Sequence, residues 1–263
     1  RRSLSSLLRH RSGVAAWTSL YTRCRSLPDV FSLLLGGTLP PASPGTYSDL
    51  SYLIWGLAAE RRLGTPFGAL LRDRVLLPLG LPRVEWNPGD HPDIAESFMG
   101  TGKEVELAAA QGHAIPDLGP APPGLANDGN ARYLRTLGLE PAGHAGLFGT
   151  ARDLLALGTE WLRPGHLLKR ADVDRALAGG GPFALGWWRR RIRQGGGGAA
   201  LPAGSFGHTG FPGGNLWVVP QNRRILVLLG HRIDPFGPVN SWRRRFHTLA
   251  YDGPSARASS RPA

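Results

Sequence analysis

The sequence of 263 residues is poor in cysteine, methionine, lysine and long apolar runs. Because Cys24 is the only cysteine, the chain can form neither an internal disulfide nor a metal site built from several cysteines. No segment approaches the roughly 18 uncharged apolar residues that a transmembrane helix needs, and the N-terminus lacks the apolar core of a signal peptide. The only methionine is Met99 and the chain begins with two arginines, so we expect a longer native polypeptide.

Positive charge is in clear excess. The chain has 31 Lys and Arg residues against 19 Asp and Glu residues, a net charge of +12, and an excess of this size raises nucleic acid or an anionic surface as a partner. The arginines, however, fall in short clusters between core-forming segments, and no aromatic-basic RNA motif accompanies them. The case for a nucleic-acid partner therefore rests on net charge alone, and we expect no specific binding of nucleic acid.

The apolar residues follow a helical period through much of the chain. In the segment 50–64 they recur at i, i+3, i+4 and i+7, which is typical of a helix with one buried face. The segments 66–80 and 151–162 repeat this pattern, with Thr150 as the candidate N-cap of the second. The Pro- and Gly-rich segment 86–124 between them predicts loops with short strands.

The pattern changes beyond Gly181 to runs rich in β-branched and aromatic residues, which are typical of strands. Residues 220–222, Pro-Gln-Asn, separate two such runs and predict a hairpin turn. A last helix, "SWRRRFHTLAYDG", is predicted to bury Trp242, Phe246 and Leu249 and to turn its three arginines to solvent.

This order of elements predicts the fold class. Helices fill the middle of the chain and an antiparallel meander followed by a helix closes it, which indicates an α+β fold with helices packed on an antiparallel sheet. No internal repeat or long linker divides the chain, so we predict one domain over residues 1–252. Residues 253–263 are small and polar, and they predict a disordered tail.

The first stretch that could carry chemistry is Tyr47-Ser48-Asp49, between a Pro-Gly turn and the first long helix. A tyrosine with its usual pKa of about 10 is a poor base, but a neighbouring cation can lower that pKa and let a phenolate move protons. The ordinary structural interpretation is a capped helix start, with Ser48 or Asp49 as N-cap.

The second stretch is "FGHTGFPGGN", in which His208, Thr209 and Gly210 precede Phe211. A histidine and a hydroxyl beside a glycine leave room for a substrate to lie against a strand, and a backbone N–H there can point at a developing oxyanion. A plain glycine-rich turn is the alternative interpretation.

Three longer segments together resemble the serine β-lactamase and penicillin-binding-protein superfamily, especially its class C-like esterases and peptidases. They are "PGTYSDLSYLIWGLAAERRLGTPFGALLRDRVLLPLGL", "GHAGLFGTARDLLALGTEWL" and "FGHTGFPGGNLWVVPQNRRILVLLGHR", and "LSSLLRHRSGV" resembles the segment before the tyrosine loop of such proteins. The resemblance implies a β-lactamase/transpeptidase-like fold, an antiparallel sheet flanked by helices with a helical subdomain. It also implies that the family's N-terminal strands and nucleophile helix would precede residue 1.

The resemblance implies a cleft where a Ser-x-x-Lys nucleophile, a Tyr-x-Asn loop and a Lys-Thr-Gly or His-Thr-Gly strand meet. Tyr47 would be the general base or proton relay, favoured as a phenolate by the lysine of the first motif. Asp49 would stand at the asparagine position, where a carboxylate accepts hydrogen bonds but cannot donate them. This departure from the family pattern is more expected for an esterase-like site than for one tuned to β-lactams.

The strand motif has implied roles as well. His208 stands where many relatives have lysine, and Thr209 would bind a carboxylate or carbonyl of the substrate. Gly210 would leave space for that substrate, and Phe211 would offer its backbone N–H as one half of an oxyanion hole. The implied reaction is acyl transfer through a serine ester.

The nucleophile motif is absent from these 263 residues. The residues three positions before Lys103 and Lys169 are a glycine and a histidine, so no Ser-x-x-Lys occurs. Ser12 and Ser51 lack a lysine at the required spacing, and we interpret both as structural. We therefore predict that the chain alone is inactive. The alternative to a hydrolase is an inactive relative that binds a peptide, a cell-wall fragment or a protein partner.

The implied substrates are small esters, amides or β-lactams, with no cofactor and no metal. His144 in "GHAGLF" has no second histidine at ligand spacing nearby, and we expect it to pack or hydrogen-bond within its loop. The compartment, whether bacterial cell envelope or cytoplasm, and the oligomeric state stay open at this point.

Overall fold

The computed structural model describes residues 3–86, 88–89, 92–97, 102–115, 122–190, 196–230 and 239–252. The chain divides into two units, Arg1–Gly149 and Thr150–Ala263. Within the ranges described, no helix combines the length and the apolar character needed to cross a membrane. The predicted tail 253–263 lies outside the described residues.

Helices dominate the first unit. They are α1 (Leu4–Leu8), α2 (Leu20–Arg23), α3 (Leu27–Leu35), α4 (Asp49–Leu63), α5 (Phe67–Leu71), α6 (Gly102–Ala109) and α7 (Gly129–Thr136). Two short strands, β1 (Glu85–Trp86) and β2 (Leu147–Phe148), pair antiparallel. The core of this unit contains Leu20, Val30, Leu50, Leu53 and Leu134, each at most 1% exposed.

Helix α4 carries the first candidate stretch, and its ends follow from its sequence. The Ser48 side chain accepts a hydrogen bond from the backbone N–H of Ser51 at 3.0 Å, which caps the first turn. Gly64 ends the helix with a left-handed φ of +64°, a conformation that glycine adopts without steric cost. The predicted helix over 50–64 is therefore confirmed, with Ser48 rather than Asp49 as its N-cap.

Two elements of the first unit differ from the sequence expectation. Helix α5 continues as a π-helical turn over Arg72–Leu76 instead of an unbroken α-helix to Gly80. Helix α6 lies within the segment predicted as loops and strands. Its Glu104 is 3% exposed and accepts a hydrogen bond from the backbone N–H of Gly129 at 2.8 Å. A non-local polar contact of this kind leaves no periodic signal in the sequence.

The second unit is an antiparallel sheet with helices. It contains α8 (Ala151–Leu162), α9 (Arg170–Leu177), β3 (Trp188–Arg189), β4 (Phe206–Thr209), β5 (Asn215–Val219), β6 (Arg224–Leu228) and α10 (Val239–Asp252). The four strands pair in the order β3-β4-β5-β6, all antiparallel. A 3₁₀ turn over Pro220–Asn222 joins β5 to β6, so the predicted hairpin is confirmed.

An aromatic cluster and one glycine position strand β4. Trp187 packs edge-on against Trp161 of α8 and Phe206 of β4, with ring centroids 5.2 and 5.5 Å away. A Cβ added at Gly207 would lie 2.3 Å from the Leu216 carbonyl oxygen, closer than a side chain can approach. Glycine is therefore required directly before His208 in the second candidate stretch.

The prediction for the last helix was wrong in its buried face. Trp242 and Leu249 of α10 are 56% and 41% exposed, whereas Arg243 and His247 are 3% and 0% exposed. The buried pair is spaced i, i+4 and therefore lies on one face of the helix. Its polar atoms find backbone partners: His247 Nδ1 lies 3.0 Å from the Gly197 carbonyl oxygen, and Arg243 binds carbonyl groups near the candidate site.

The capping of α8 gives a testable stability difference. Thr150 and Asp153 form a capping box, in which each side chain binds the other residue's backbone N–H. We expect Thr150→Ala to lower the free energy of unfolding in urea by about 1 kcal/mol. Thr159→Ala, which removes an exposed hydroxyl bound to the Leu155 carbonyl in the same helix, should change it by less than about 0.5 kcal/mol. Equal effects of both variants would contradict the capping role.

Candidate active site

The candidate site residues fall into two groups, one in each unit, which we call the first and the second half-site. Tyr47 and Asp49 make up the first half-site, at the start of α4. The second half-site comprises His208 and Thr209 at the end of β4, followed by Gly210 and Phe211. Within each half-site the residues are held by identifiable contacts.

His10 shapes the turn that presents Tyr47. Its carbonyl oxygen accepts from the Gly45 N–H at 2.8 Å, and its Nδ1 accepts from the Ser48 N–H at 3.0 Å. The imidazole is 2% exposed and lies 4.5 Å from the Tyr47 ring, centroid to centroid. His10 has a φ of +51°, which is costly for a residue other than glycine and is typical of places where function constrains the backbone. The sequence analysis did not single out His10 or its contact with Tyr47.

Tyr47 and Asp49 influence each other electrostatically at the start of α4. Burial raises the pKa of the Tyr47 hydroxyl well above its usual value, and the negative charge of Asp49 raises it further. Burial also raises the pKa of Asp49, to about 6, while the charge of His144 acts in the opposite direction. At pH 7 the first half-site therefore holds a neutral phenol and a mostly ionised carboxylate.

His144 and Asp128 form a buried ion pair near this half-site. Nε2 of His144 lies 3.0 Å from Oδ1 of Asp128, and the two side chains are 3% and 15% exposed. Nδ1 of His144 lies 2.8 Å from the Ala142 carbonyl oxygen, which confirms the prediction that this histidine hydrogen-bonds within its loop. Among the described residues, no three His, Cys, Asp or Glu side chains gather as a metal site requires. The pairing with Asp128, 16 residues away, was not predicted.

His208 is a neutral imidazole in the second half-site. Its Nδ1 donates to the Thr209 carbonyl oxygen at 2.9 Å, and the Trp188 ring meets it edge-on at 5.9 Å. Burial lowers the pKa of His208 to about 4, and the positive charge of Arg243 also lowers it. At pH 7 this position therefore lacks the positive charge that a lysine would carry.

Arg243 holds the loop that contains Phe211. Nη2 of Arg243 donates to the carbonyl oxygens of Gly210 and Gly214 at 2.7 and 2.8 Å, and Nε donates to Gly213 at 3.1 Å. The Gly210 N–H also donates to the Gly214 carbonyl oxygen at 2.8 Å, which closes the loop. Because charge-assisted hydrogen bonds are strong, one buried guanidinium fixes the backbone on both sides of Phe211. Because the sequence analysis predicted that the three arginines of α10 face solvent, it did not identify Arg243 as a residue that holds this loop.

Ser12 and Ser51, the two serines considered as substitutes for the motif serine, contact each other. The Oγ atoms of Ser12 and Ser51 lie 3.1 Å apart, and Ser12 Oγ also accepts from the Val14 N–H at 3.4 Å. Ser51 donates its backbone N–H to the cap residue Ser48. These contacts agree with a structural role for both hydroxyls.

Arg243 offers a matched test of loop positioning. We expect Arg243→Met to lower the free energy of unfolding in urea by about 3 kcal/mol, because it leaves carbonyl groups of the loop without a charged donor. Arg245→Met, an exposed arginine on the same helix, should change it by less than about 0.5 kcal/mol. If both variants lose the same stability, Arg243 does not hold the loop in the way described.

The family and curated-protein comparisons cover most of this chain. The family model described as Beta-lactamase matches residues 1–249. A proposed D-alanyl-D-alanine carboxypeptidase of Salmonella enteritidis PT4 is 28% identical over 222 residues, which is 76% of this chain and 47% of that protein. A similarly described protein of Salmonella schwarzengrund is 27% identical over 221 residues, with the same coverage. The chain thus spans about half the length of the curated relatives it matches.

Solved structures show the same fold. A β-lactamase from Mycobacterium bovis superimposes with a TM-score of 0.60 at 20% identity, over 94% of this chain and 73% of that one. EstCE1, described as a hydrolase with promiscuous acyltransferase activity, gives 0.64 at 18% identity, over 92% and 70% of the two chains. A β-lactamase/D-alanine carboxypeptidase from Yersinia pestis gives 0.52 at 18% identity, over 93% and 68%. The mixed helix and antiparallel-sheet architecture predicted from the sequence is thereby confirmed as that of the β-lactamase/transpeptidase fold.

Proposed function

The chain belongs to the beta-lactamase family, and from that premise we propose that it is part of a serine acyl hydrolase acting through an acyl-enzyme. The superfamily comprises serine β-lactamases, D-alanyl peptidases and esterases, which share this reaction type. The observation that carries the proposal is the position of Tyr47 directly before the capped start of α4, with its ring centroid 4.5 Å from that of the buried His10, in a chain that the family model matches over residues 1–249. A tyrosine held in one place can pass a proton to or from a reacting group.

In this proposal, Tyr47 relays the proton of the attacking serine, and the second half-site binds the acyl group. The backbone N–H of Phe211 supplies one half of the oxyanion hole, in a loop that Arg243 holds in place. Thr209 and the neutral imidazole of His208 bind the carbonyl end of the substrate by hydrogen bonds. Without a cation at His208, the half-site favours a neutral ester over a donor that presents a carboxylate there.

The nucleophile in this proposal is a serine of a Ser-x-x-Lys segment outside the 263 residues. The two candidate serines, Ser12 and Ser51, contact each other and have no lysine at the spacing of the motif, so neither replaces that nucleophile in this proposal. If no such segment belongs to the native polypeptide, the alternative applies, and the protein is an inactive relative that binds a peptide, a cell-wall fragment or a protein partner.

Active-site labelling of the 263-residue chain tests where the nucleophile lies. After incubation with a fluorophosphonate, we expect the intact mass to stay unchanged, because no serine here has a lysine at the spacing of the nucleophile motif. Class C-like hydrolases of known activity serve as the positive control. A phosphonylated serine anywhere in residues 1–263 would overturn the assignment of the site.

The role of Tyr47 is tested in the polypeptide as its native host produces it. With a chromogenic ester, we expect Tyr47→Phe to lower kcat at least about 100-fold with little change in KM, because a positioned acid-base group contributes on that scale. Tyr133→Phe is the matched control, since it removes a tyrosine hydroxyl that donates to the Cys24 carbonyl oxygen at 2.6 Å. Full activity of Tyr47→Phe would remove the relay from the proposal.

A further inference from the structure

His10 follows the end of α1, at a position where glycine is the usual residue. Its backbone N–H donates to the Leu7 carbonyl oxygen at 3.0 Å, and the N–H of Arg11 donates to the Ser6 carbonyl oxygen at 2.8 Å. These two hydrogen bonds form a Schellman motif, in which the residue after the C-cap Arg9 takes a left-handed φ, here +51°. Glycine adopts that φ without steric cost, so the end of α1 does not explain why an imidazole stands here.

The imidazole of His10 binds the start of α4 instead. Its Nδ1 lies 3.0 Å from the backbone nitrogen of Ser48, which is 38 residues further along the chain. A backbone N–H can only donate, so Nδ1 accepts and carries no proton. The ring is therefore the neutral tautomer with its proton on Nε2.

His10 holds the backbone on both sides of Tyr47. The Gly45 N–H, two residues before Tyr47, donates to the His10 carbonyl oxygen at 2.8 Å, and the Ser48 N–H, directly after it, donates to Nδ1. Ser48 is 1% exposed, so its N–H would be buried without an acceptor if the imidazole were removed. The side chain of His10 thus fixes the residue that follows Tyr47.

The imidazole also packs against two tyrosine rings. The centroid of the Tyr47 ring lies 4.5 Å away with the planes at 40°, and that of Tyr52 on α4 lies 5.0 Å away with the planes at 28°. Tyr52 is itself anchored, because its hydroxyl donates to the Leu8 carbonyl oxygen at 3.2 Å. The Tyr47 ring is thereby packed against a side chain that both α1 and α4 hold in place.

We propose that His10 is a positioning residue for Tyr47. Its Nδ1 holds the Ser48 N–H and its ring packs on the Tyr47 ring, and together these contacts keep the Tyr47 hydroxyl in place for proton transfer. The inference rests on the proposed function, in which Tyr47 relays the proton of the attacking serine. His10 takes no part in that transfer and acts through Tyr47 alone. Because a misplacement of about 1 Å can lower a rate about 100-fold, its effect on kcat should be large.

The hydrogen bond is tested by ¹⁵N NMR of the polypeptide as its native host produces it, with the histidine rings labelled. His10→Asn identifies the His10 resonances. At pH 7 we expect an unprotonated Nδ1, coupled across the hydrogen bond to the Ser48 amide proton, and a protonated Nε2. A protonated Nδ1 overturns the proposal, because such a nitrogen cannot accept. This measurement on the wild type keeps the test valid if a variant does not fold.

Two variants separate the side chain of His10 from its backbone conformation. Glycine and asparagine both adopt a left-handed φ, but only asparagine offers an acceptor, Oδ1, as many bonds from Cα as Nδ1. With a chromogenic ester, we expect His10→Gly to lower kcat at least about 10-fold with little change in KM, and His10→Asn to retain most of the wild-type kcat. Wild-type kcat in His10→Gly overturns the proposal, and so does an equal loss in both variants.

His113→Gly is the matched control. His113 is a partly exposed histidine of the first unit that follows the turn after α6. The same substitution there should change kcat by less than about twofold. An equal loss in His113→Gly and His10→Gly would show a general effect of glycine and overturn the proposal.

A double variant tests whether His10 acts through Tyr47. In Tyr47→Phe, which lacks the relay hydroxyl, the addition of His10→Gly should lower kcat no further, whereas the losses of two independent residues would multiply. Multiplied losses would show that His10 supports the reaction by another route and overturn the positioning role.

These measurements separate this inference from the proposed function. If the wild-type polypeptide neither hydrolyses the ester nor takes up a fluorophosphonate, the proposed function fails and the role of His10 in catalysis fails with it. The ¹⁵N measurement then still decides whether His10 holds the turn. If the wild type is active and His10→Gly is equally active, only the inference about His10 fails.

Discussion

A buried ion pair between His144 and Asp128 connects two segments of the first unit. An unpaired carboxylate buried away from water is strongly unfavourable, yet Asp128 and Asp49 both lie near the start of a helix, where their positions are set by the chain. Asp128 accepts from the Ala131 N–H at the start of α7, and from His144 in the loop packed on α4. One imidazolium therefore joins α7 to that loop, and its positive charge acts to lower the pKa of Asp49.

The second unit also contains a buried cation, Arg243, which holds a loop of backbone in place. Arg243 donates to three carbonyl oxygens of the loop after β4, so its charge stabilises the backbone around Phe211. The same charge disfavours a proton on His208, which stays neutral at pH 7. The two half-sites thus differ in character: the first holds an ionised acid beside a phenol, and the second offers neutral hydrogen-bonding groups and a fixed backbone.

Sequence reasoning predicted what depends on local chemistry. Helix α4, the capped start of α8 and the β5-β6 hairpin each have periodicity, caps or turn residues that act within a few positions. Non-local polar contacts were not predicted. Helix α6 depends on Glu104 binding a backbone N–H 25 residues away, and α10 buries Arg243 because the carbonyl groups of a distant loop receive it. The same limit applies at the site, where the motifs indicated Tyr47, Asp49 and His208 but not the partners of His10 and His144.

We expect the nucleophilic serine to belong to the same polypeptide as Tyr47 and to lie outside these 263 residues. The most direct measurement is the N-terminal sequence of the protein from its native host, combined with peptide mapping after reaction with a fluorophosphonate. We expect an extension before Arg1 that contains Ser-x-x-Lys, with one phosphonyl group on that serine. A native polypeptide that begins at Arg1 and takes up no label would contradict the account and leave a scaffold that binds but does not acylate.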